Sequence, residues 1–167
     1  VRETLPVREE GFIFTYRERN AMREDIATLP SGFQYLRLEH QGKPLTVVAT
    51  HAITYPGDKL DTPARLAQSR KMKDFLKSVP GAHIVCGDFN LMPQTESIRM
   101  LEEGMRNLVK EFGVATTRGT LNEEKYRGQE IQKFADYMFV SPEITVDSFE
   151  VPNIPISDHL PLILQFS

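Results

Sequence analysis

The chain carries a single thiol, and that scarcity removes two classes of protein. With Cys86 as the one cysteine among 167 residues, neither an internal disulfide framework nor a cysteine zinc cluster is available. Cys86 lies between Val85 and Gly87 in an apolar run, the setting of a small core residue, since free cysteine is among the most buried types. Long apolar runs are lacking as well. None approaches the roughly 18 residues that cross a bilayer, and no basic segment followed by an apolar one opens the given sequence. Excess positive charge is also missing: the formal net charge is −3, which offers nucleic acid no global attraction. Neither a Gly-x-Ser-x-Gly elbow nor a Gly-rich phosphate loop ending in Gly-Lys-Ser/Thr occurs.

What is present fits one globular domain. A hydrophobic fraction of 40% beside 26% charged residues is enough for a real core. No repeat, low-complexity tract or linker divides residues 1–167, so a single domain is expected. The composition predicts a soluble protein, with a cytoplasmic location favoured, although the compartment itself is not readable. The first residue is Val1, not Met, which raises the expectation that the chain begins inside a longer protein.

Periodicity and turn chemistry predict the elements. Residues 12–16, 33–38 and 45–50 read as strands, the last two joined by a turn around Gly42 into a hairpin. Residues 61–81, "DTPARLAQSRKMKDFLKSVPG", read as an amphipathic helix. Asp61 or Thr62 caps it, Pro63 sits in its first turn, Met72, Phe75, Leu76 and Val79 form its apolar stripe, and Pro80-Gly81 ends it. Residues 83–86 form a strand. Ile98, Leu101, Met105 and Leu108 fit a second helix interrupted by Gly104. Residues 115–133 read as a long polar loop, and 135–140, 144–151 and 160–166 as three more strands. Strands in groups with two helices between them favour an α+β fold or mixed sheet.

Chemistry-bearing residues fall at the ends of four of these strands. Thr50-His51 closes one, Asp88 and Asn90 close the next in "HIVCGDFNLMP", Asp136 opens "FADYMFV", and Ser157-Asp158-His159 precedes "LPLILQF". Each group alone has an ordinary explanation. Asp-x-Asn is a common turn former and helix cap, a lone histidine is more often structural, and Asp136 pairs with Lys133 or caps a strand. Together they place two histidines, three acids and a carboxamide at strand ends, which independent turns have no reason to do. Carboxylates with a carboxamide are hard oxygen ligands suited to Mg²⁺ or Mn²⁺. A histidine beside an acid is a general acid or base whose tautomer the acid fixes. The combination describes metal-assisted attack of water on a phosphoester.

The ordered motifs "TH", "GDFN", "ADYMFVS" and "SDHLPL" resemble the endonuclease/exonuclease/phosphatase superfamily, which holds DNase I-like nucleases, abasic-site endonucleases, sphingomyelinases and inositol polyphosphate phosphatases. The resemblance covers roughly residues 45–166. It implies a DNase I-like four-layer α/β/β/α sandwich of two mixed sheets, here incomplete at its N-terminus, so that sheet edge and apolar surface are left exposed. It implies a phosphoester hydrolase using Mg²⁺ or Mn²⁺. In that reading Asp88 orients or deprotonates water, Asn90 holds that carboxylate and the phosphate, and His159, steered by Asp136, contacts the scissile phosphate. Asp158 lies at or near the cation with Asp88, and His51 contacts phosphate or assists the leaving group. Arg118 and Tyr126 lie in the loop where such proteins vary for substrate contact.

One departure stands out. The family's principal metal ligand is a glutamate in a "QE" motif ahead of the "TH" strand, whereas Gln129-Glu130 follows "GDFN" and Glu9 and Glu10 do not match. The alternative to an enzyme is therefore a non-catalytic binding or scaffold domain of the same fold. Nucleic acid and small phosphoester substrates are not separated by the residues, and no obligate protein partner is evident.

Overall fold

A computed structural model describes residues 6–17, 30–119, 121, 132–154 and 156–167. Its elements, in chain order, are β1 (Val7–Tyr16), β2 (Ser31–His40), β3 (Lys43–His51), α1 (Pro63–Ser78), β4 (Ala82–Asp88), α2 (Glu96–Glu102), β5 (Arg106–Asn107), α3 (Leu108–Glu111), β6 (Asp136–Val140), β7 (Val146–Glu150) and β8 (Ile163–Phe166).

The expected α+β class is observed, as a mixed six-stranded sheet in the order β1-β2-β3-β4-β6-β5 and a smaller antiparallel pair, β7-β8. The hairpin β2–β3 turns through Gln41 and Gly42, both at positive φ (51° and 74°), the conformation that matches the twist of the flanking strands. β3 and β4 are parallel, a pairing that needs a crossover, and α1 supplies it.

Helix α1 begins where the caps predict. Thr62 Oγ1 accepts from the Arg65 backbone N–H at 3.2 Å, and Pro63 occupies the first turn. Asp61, the other cap candidate, serves a different helix: its carboxylate accepts from the backbone N–H groups of Glu96 (2.6 Å) and Ser97 (3.1 Å) at the start of α2. Those N–H groups have no partner inside their own helix, so Asp61 ties α2 to the approach of α1. Phe75 packs on Phe33 and Tyr35 with ring centroids 5.2 and 4.8 Å apart. Met72, Leu76, Ile98 and Leu101 complete that layer of the core.

Two expectations are corrected. The second helix does not reach residue 108: α2 stops at Glu102, the chain turns through Gly104 at φ 94°, and residues 106–107 join β6 as β5 before the short α3 begins. Gly104 thus ends the helix rather than interrupting it, because a left-handed residue lets the backbone leave the helical path. The strand over 83–86 extends to Asp88, so the first acid of "GDFN" belongs to the sheet.

The exposed edge and surface are also present. β1 is an edge strand, and Val7, Phe12 and Leu36 are substantially exposed. Gly11, Phe12, Gln34, Leu36, Val47 and Ala49 line a groove of about 500 Å³ on this face.

Gly87 sets how closely β4 approaches β3. It adopts φ 133°, and a Cβ there would lie 2.0 Å from the Thr50 carbonyl oxygen. No side chain fits between these backbones. Gly87→Ala is expected to destabilise the protein by about 3 kcal/mol, lowering the thermal midpoint by roughly 6–12 °C in a calorimetric scan. An unchanged midpoint would show that the strand spacing is not set here.

Candidate active site

Registry builds the site. His51 pairs with Asp88 across β3 and β4, and Asp88 pairs with Asp136 across β4 and β6. Paired residues project from the same face of a sheet, so three strand ends set one imidazole and two carboxylates side by side. The "GDFN" turn then divides its residues between site and core. Phe89 is buried, its N–H donates to the Ala135 carbonyl at 2.8 Å, and its ring meets Tyr137 and Phe139 edge to face. Asn90 turns back toward Asp88: at φ 52° its N–H donates to Asp88 Oδ1 at 2.8 Å. Strand alternation predicts the same neighbours, but a left-handed turn is what joins them. Tyr137 Oη donates to the Leu91 carbonyl at 2.8 Å and holds the exit of the turn.

His159 arrives from far along the chain and is anchored through Thr117. Thr117 is fully buried. Its Oγ1 accepts from the N–H groups of Ala135 and Asp136, both at 3.2 Å, and its carbonyl accepts from Leu160 N at 2.9 Å. One residue therefore joins the His159 segment to the first residue of β6. His159 Nδ1 donates to the Asp136 carboxylate at 2.9 and 3.0 Å, which turns Nε2 toward Asp88 Oδ2, 3.9 Å away. His51 Nε2 stands 3.8 Å from the same oxygen. Both gaps are too long for direct hydrogen bonds and suit an interposed water or ligand oxygen.

The charges are strongly coupled. The hydrogen bond to Asp136 raises the His159 pKa above its ordinary value, with burial and the Arg118 guanidinium opposing. Burial raises the Asp88 pKa and the neighbouring Asp136 charge adds to it, against the Asn90 N–H and the two histidines. Arg118 Nη1 meets His159 Nε2 directly and stands 3.9 Å from Asp158 Oδ2.

Of the residues expected from sequence, His51, Asp88, Asn90, Asp136 and His159 come together, with Arg118 against His159. Ligand atoms of Asp88, Asp136 and His159 all lie within 4.8 Å of one another. Asp158 is outside that cluster, its side chain 48% exposed beside Arg118. Tyr126 lies outside the described residues, as do Gln129 and Glu130. Glu9 is engaged elsewhere, by Tyr35 Oη at 2.8 Å and by Arg37.

Three contributors escape sequence reasoning: Lys59, Arg65 and Thr117. Lys59 is buried and donates to Asn90 Oδ1 at 2.6 Å. Arg65, buried in α1, donates to the carbonyls of Ile53, Thr54, Pro56 and Leu60, so one guanidinium secures the loop between β3 and α1. A signal for Arg65 existed: Arg65, Gln68, Ser69, Met72 and Leu76 are all buried at helical spacing, so the apolar stripe continues backward as a polar one.

The chain matches the model of the Endonuclease/Exonuclease/phosphatase family over residues 29–159. No curated protein matches it in sequence. Similar solved structures include the Bacteroides thetaiotaomicron VPI-5482 mannosyl-6-phosphatase Bt3783 (16% identity, TM-score 0.73, 98% of this chain and 67% of that one). The human Nocturnin catalytic domain with bound sulfate anion (20%, 0.67, 98% and 59%) is another. D. rerio TDP2 complexed with single-strand DNA product (15%, 0.68, 98% and 68%) is a third. At these identities the likeness concerns the fold, and the chain spans about two thirds of the length of the first structures it matches, between 65% and 67%.

Two outcomes follow from the charges. Because the folded carboxyl of Asp88 titrates above its ordinary value, stability contributed by its protonated form is lost as pH rises through that value. Asp88→Asn, which keeps an acceptor for the Asn90 N–H, is expected to raise the thermal midpoint at pH 7 in chelator by about 2–4 °C. A lower midpoint would contradict the direction. For His159 the raised value has the same sign: its stabilisation is complete below about pH 6.5 and lost as pH rises through the folded value. Midpoints measured across this window should fall in wild type and flatten in Asp136→Asn.

Proposed function

The chain belongs to the endonuclease/exonuclease/phosphatase family, and on that premise we propose that residues 1–167 form a single unit carrying the site of a phosphoester hydrolase that directs water at phosphorus. The observation that carries the reading is the registry of His51, Asp88 and Asp136 at three strand ends, with His159 held between the two acids.

Asp88 orients the attacking water and accepts its proton, since its Oδ2 faces the gap between the two imidazoles. Asn90 holds Asp88 through its N–H and presents its carboxamide to the phosphate. His159, steered by Asp136 through Nδ1, contacts the phosphate, and the Arg118 guanidinium that donates to its Nε2 supplies the charge that stabilises the phosphoryl oxygens. Arg118 adds a fixed cation beside it, and His51, largely exposed, contacts phosphate or the departing oxygen. Tyr126 remains a candidate substrate contact.

The donor chemistry fits a hard divalent cation, Mg²⁺ or Mn²⁺: two carboxylates crowd one site, and burial beside Asp136 disfavours the charged form of Asp88. Asp88 and Asp136, whose carboxylates cluster, would hold it; Asp158, expected as a ligand, lies outside that cluster beside Arg118. When bound, the cation would neutralise charge on the non-bridging oxygens.

A second reading, a non-catalytic binding domain, is favoured by one observation: the clustered ligands among the described residues include no glutamate. In full-length protein, His159→Ala is expected to reduce turnover of bis(p-nitrophenyl) phosphate by about 10²–10⁴-fold, chelation should abolish turnover, and Mg²⁺ or Mn²⁺ should restore it. Unchanged turnover in His159→Ala would remove the enzymatic reading. Absent turnover, with no calorimetric heat on adding either ion, would favour the binding domain.

A further inference from the structure

We propose that Lys59 is a positioning residue of this site: its ammonium fixes the Asn90 carboxamide so that the donor end, not the acceptor end, serves a bound phosphoryl oxygen. The proposal rests on the hydrolase reading for the identity of the ligand, but not for the hydrogen bond itself.

Lys59 is 8% exposed although its neighbours Asp58 and Leu60 are exposed. Among the described residues no carboxylate lies within ion-pairing distance of it; burial lowers its pKa, with the Asp88 and Asp58 charges opposing. Instead Nζ donates to Asn90 Oδ1 at 2.6 Å and to the Thr54 carbonyl at 2.8 Å. An ammonium is a donor only, so it accepts nothing from an amide nitrogen and selects one of the two amide orientations. The carboxamide nitrogen then faces the Ala52 carbonyl at 3.4 Å, a long bond that holds the orientation weakly by itself. It uses one of two amide protons of a residue that is 3% exposed, and the other is the one the proposal assigns to the anion.

Two features hold the ammonium in place. Lys59 adopts φ 59° and its carbonyl accepts from Met92 N at 2.9 Å, which joins the loop to the segment just after the "GDFN" turn. The Arg65 bonds secure the same loop from α1. With Lys59 gone, the amide is free to rotate and place its oxygen toward the anion.

The test combines kinetics and NMR. In full-length protein with Mg²⁺ and bis(p-nitrophenyl) phosphate, Lys59→Met is expected to lower kcat about 10–100-fold with KM changed less than about threefold, and Lys59→Arg to recover most of the loss. In the Asn90→Ala background, Lys59→Met should add less than about threefold, because the residue it positions is absent. Independent, multiplying losses would overturn the proposal. In metal-free protein, nuclear Overhauser contacts between the Asn90 side-chain amide protons and the Ala52 segment should be present in wild type and Lys59→Arg and lost in Lys59→Met. Should that variant not fold, Lys59→Gln takes its place. An unchanged Asn90 amide overturns the proposal even if wild type proves inactive, whereas inactivity with the amide released defeats the hydrolase reading alone.

Discussion

The constraint on which the structure turns is the burial of one carboxylate. Asp88 ends β4 between two other strand ends, largely screened from water and next to a second acid, Asp136. A charge in that position is costly unless donors and cations surround it. The surroundings answer that demand: the Asn90 N–H bonds one oxygen, and two imidazoles stand at water-bridging distance from the other. The same arrangement that relieves a buried negative charge concentrates donors where an anionic substrate would sit.

Rigid packing gives that arrangement its precision. The strand ends belong to a single sheet, Phe89 is clamped among Tyr137 and Phe139, and Thr117 ties the His159 segment to β6. Helix α1 serves both levels. Met72 and Leu76 bury apolar surface in the core, while Arg65, a few turns earlier on the same stripe, holds the loop from which Lys59 reaches Asn90. Fold stability and site geometry therefore share one element.

Among the described residues, the sheet that carries the site also has β1 at one edge, with Phe12 and Leu36 exposed on one face. Long unpaired edges and apolar grooves are where a sheet accepts further structure or associates. The feature lies on the outer strands, whereas the residues of the candidate site sit on β3, β4 and β6 and the segments packed beside them.

Local signals settled much of this molecule. The spacing of Met72, Phe75 and Leu76, the cap at Thr62, the turn at Gly42 and the abrupt polar ends of apolar strands are near-neighbour properties, legible because periodicity and turn chemistry act over a few residues. The residue types at those ends suggested phosphoester chemistry, and the order of the motifs pointed to the family that the chain matches. Tertiary structure alone decided the rest. The registry of His51 with Asp88 and of Asp88 with Asp136 joins segments distant along the chain, and no local pattern encodes it. Asp61 caps α2 instead of its own helix, Gly104 ends a helix whose apolar spacing continues past it, and Lys59, an ordinary loop lysine in sequence, becomes a buried partner of Asn90. These outcomes depend on where distant segments pack, because burial and hydrogen-bond geometry are properties of the assembled chain.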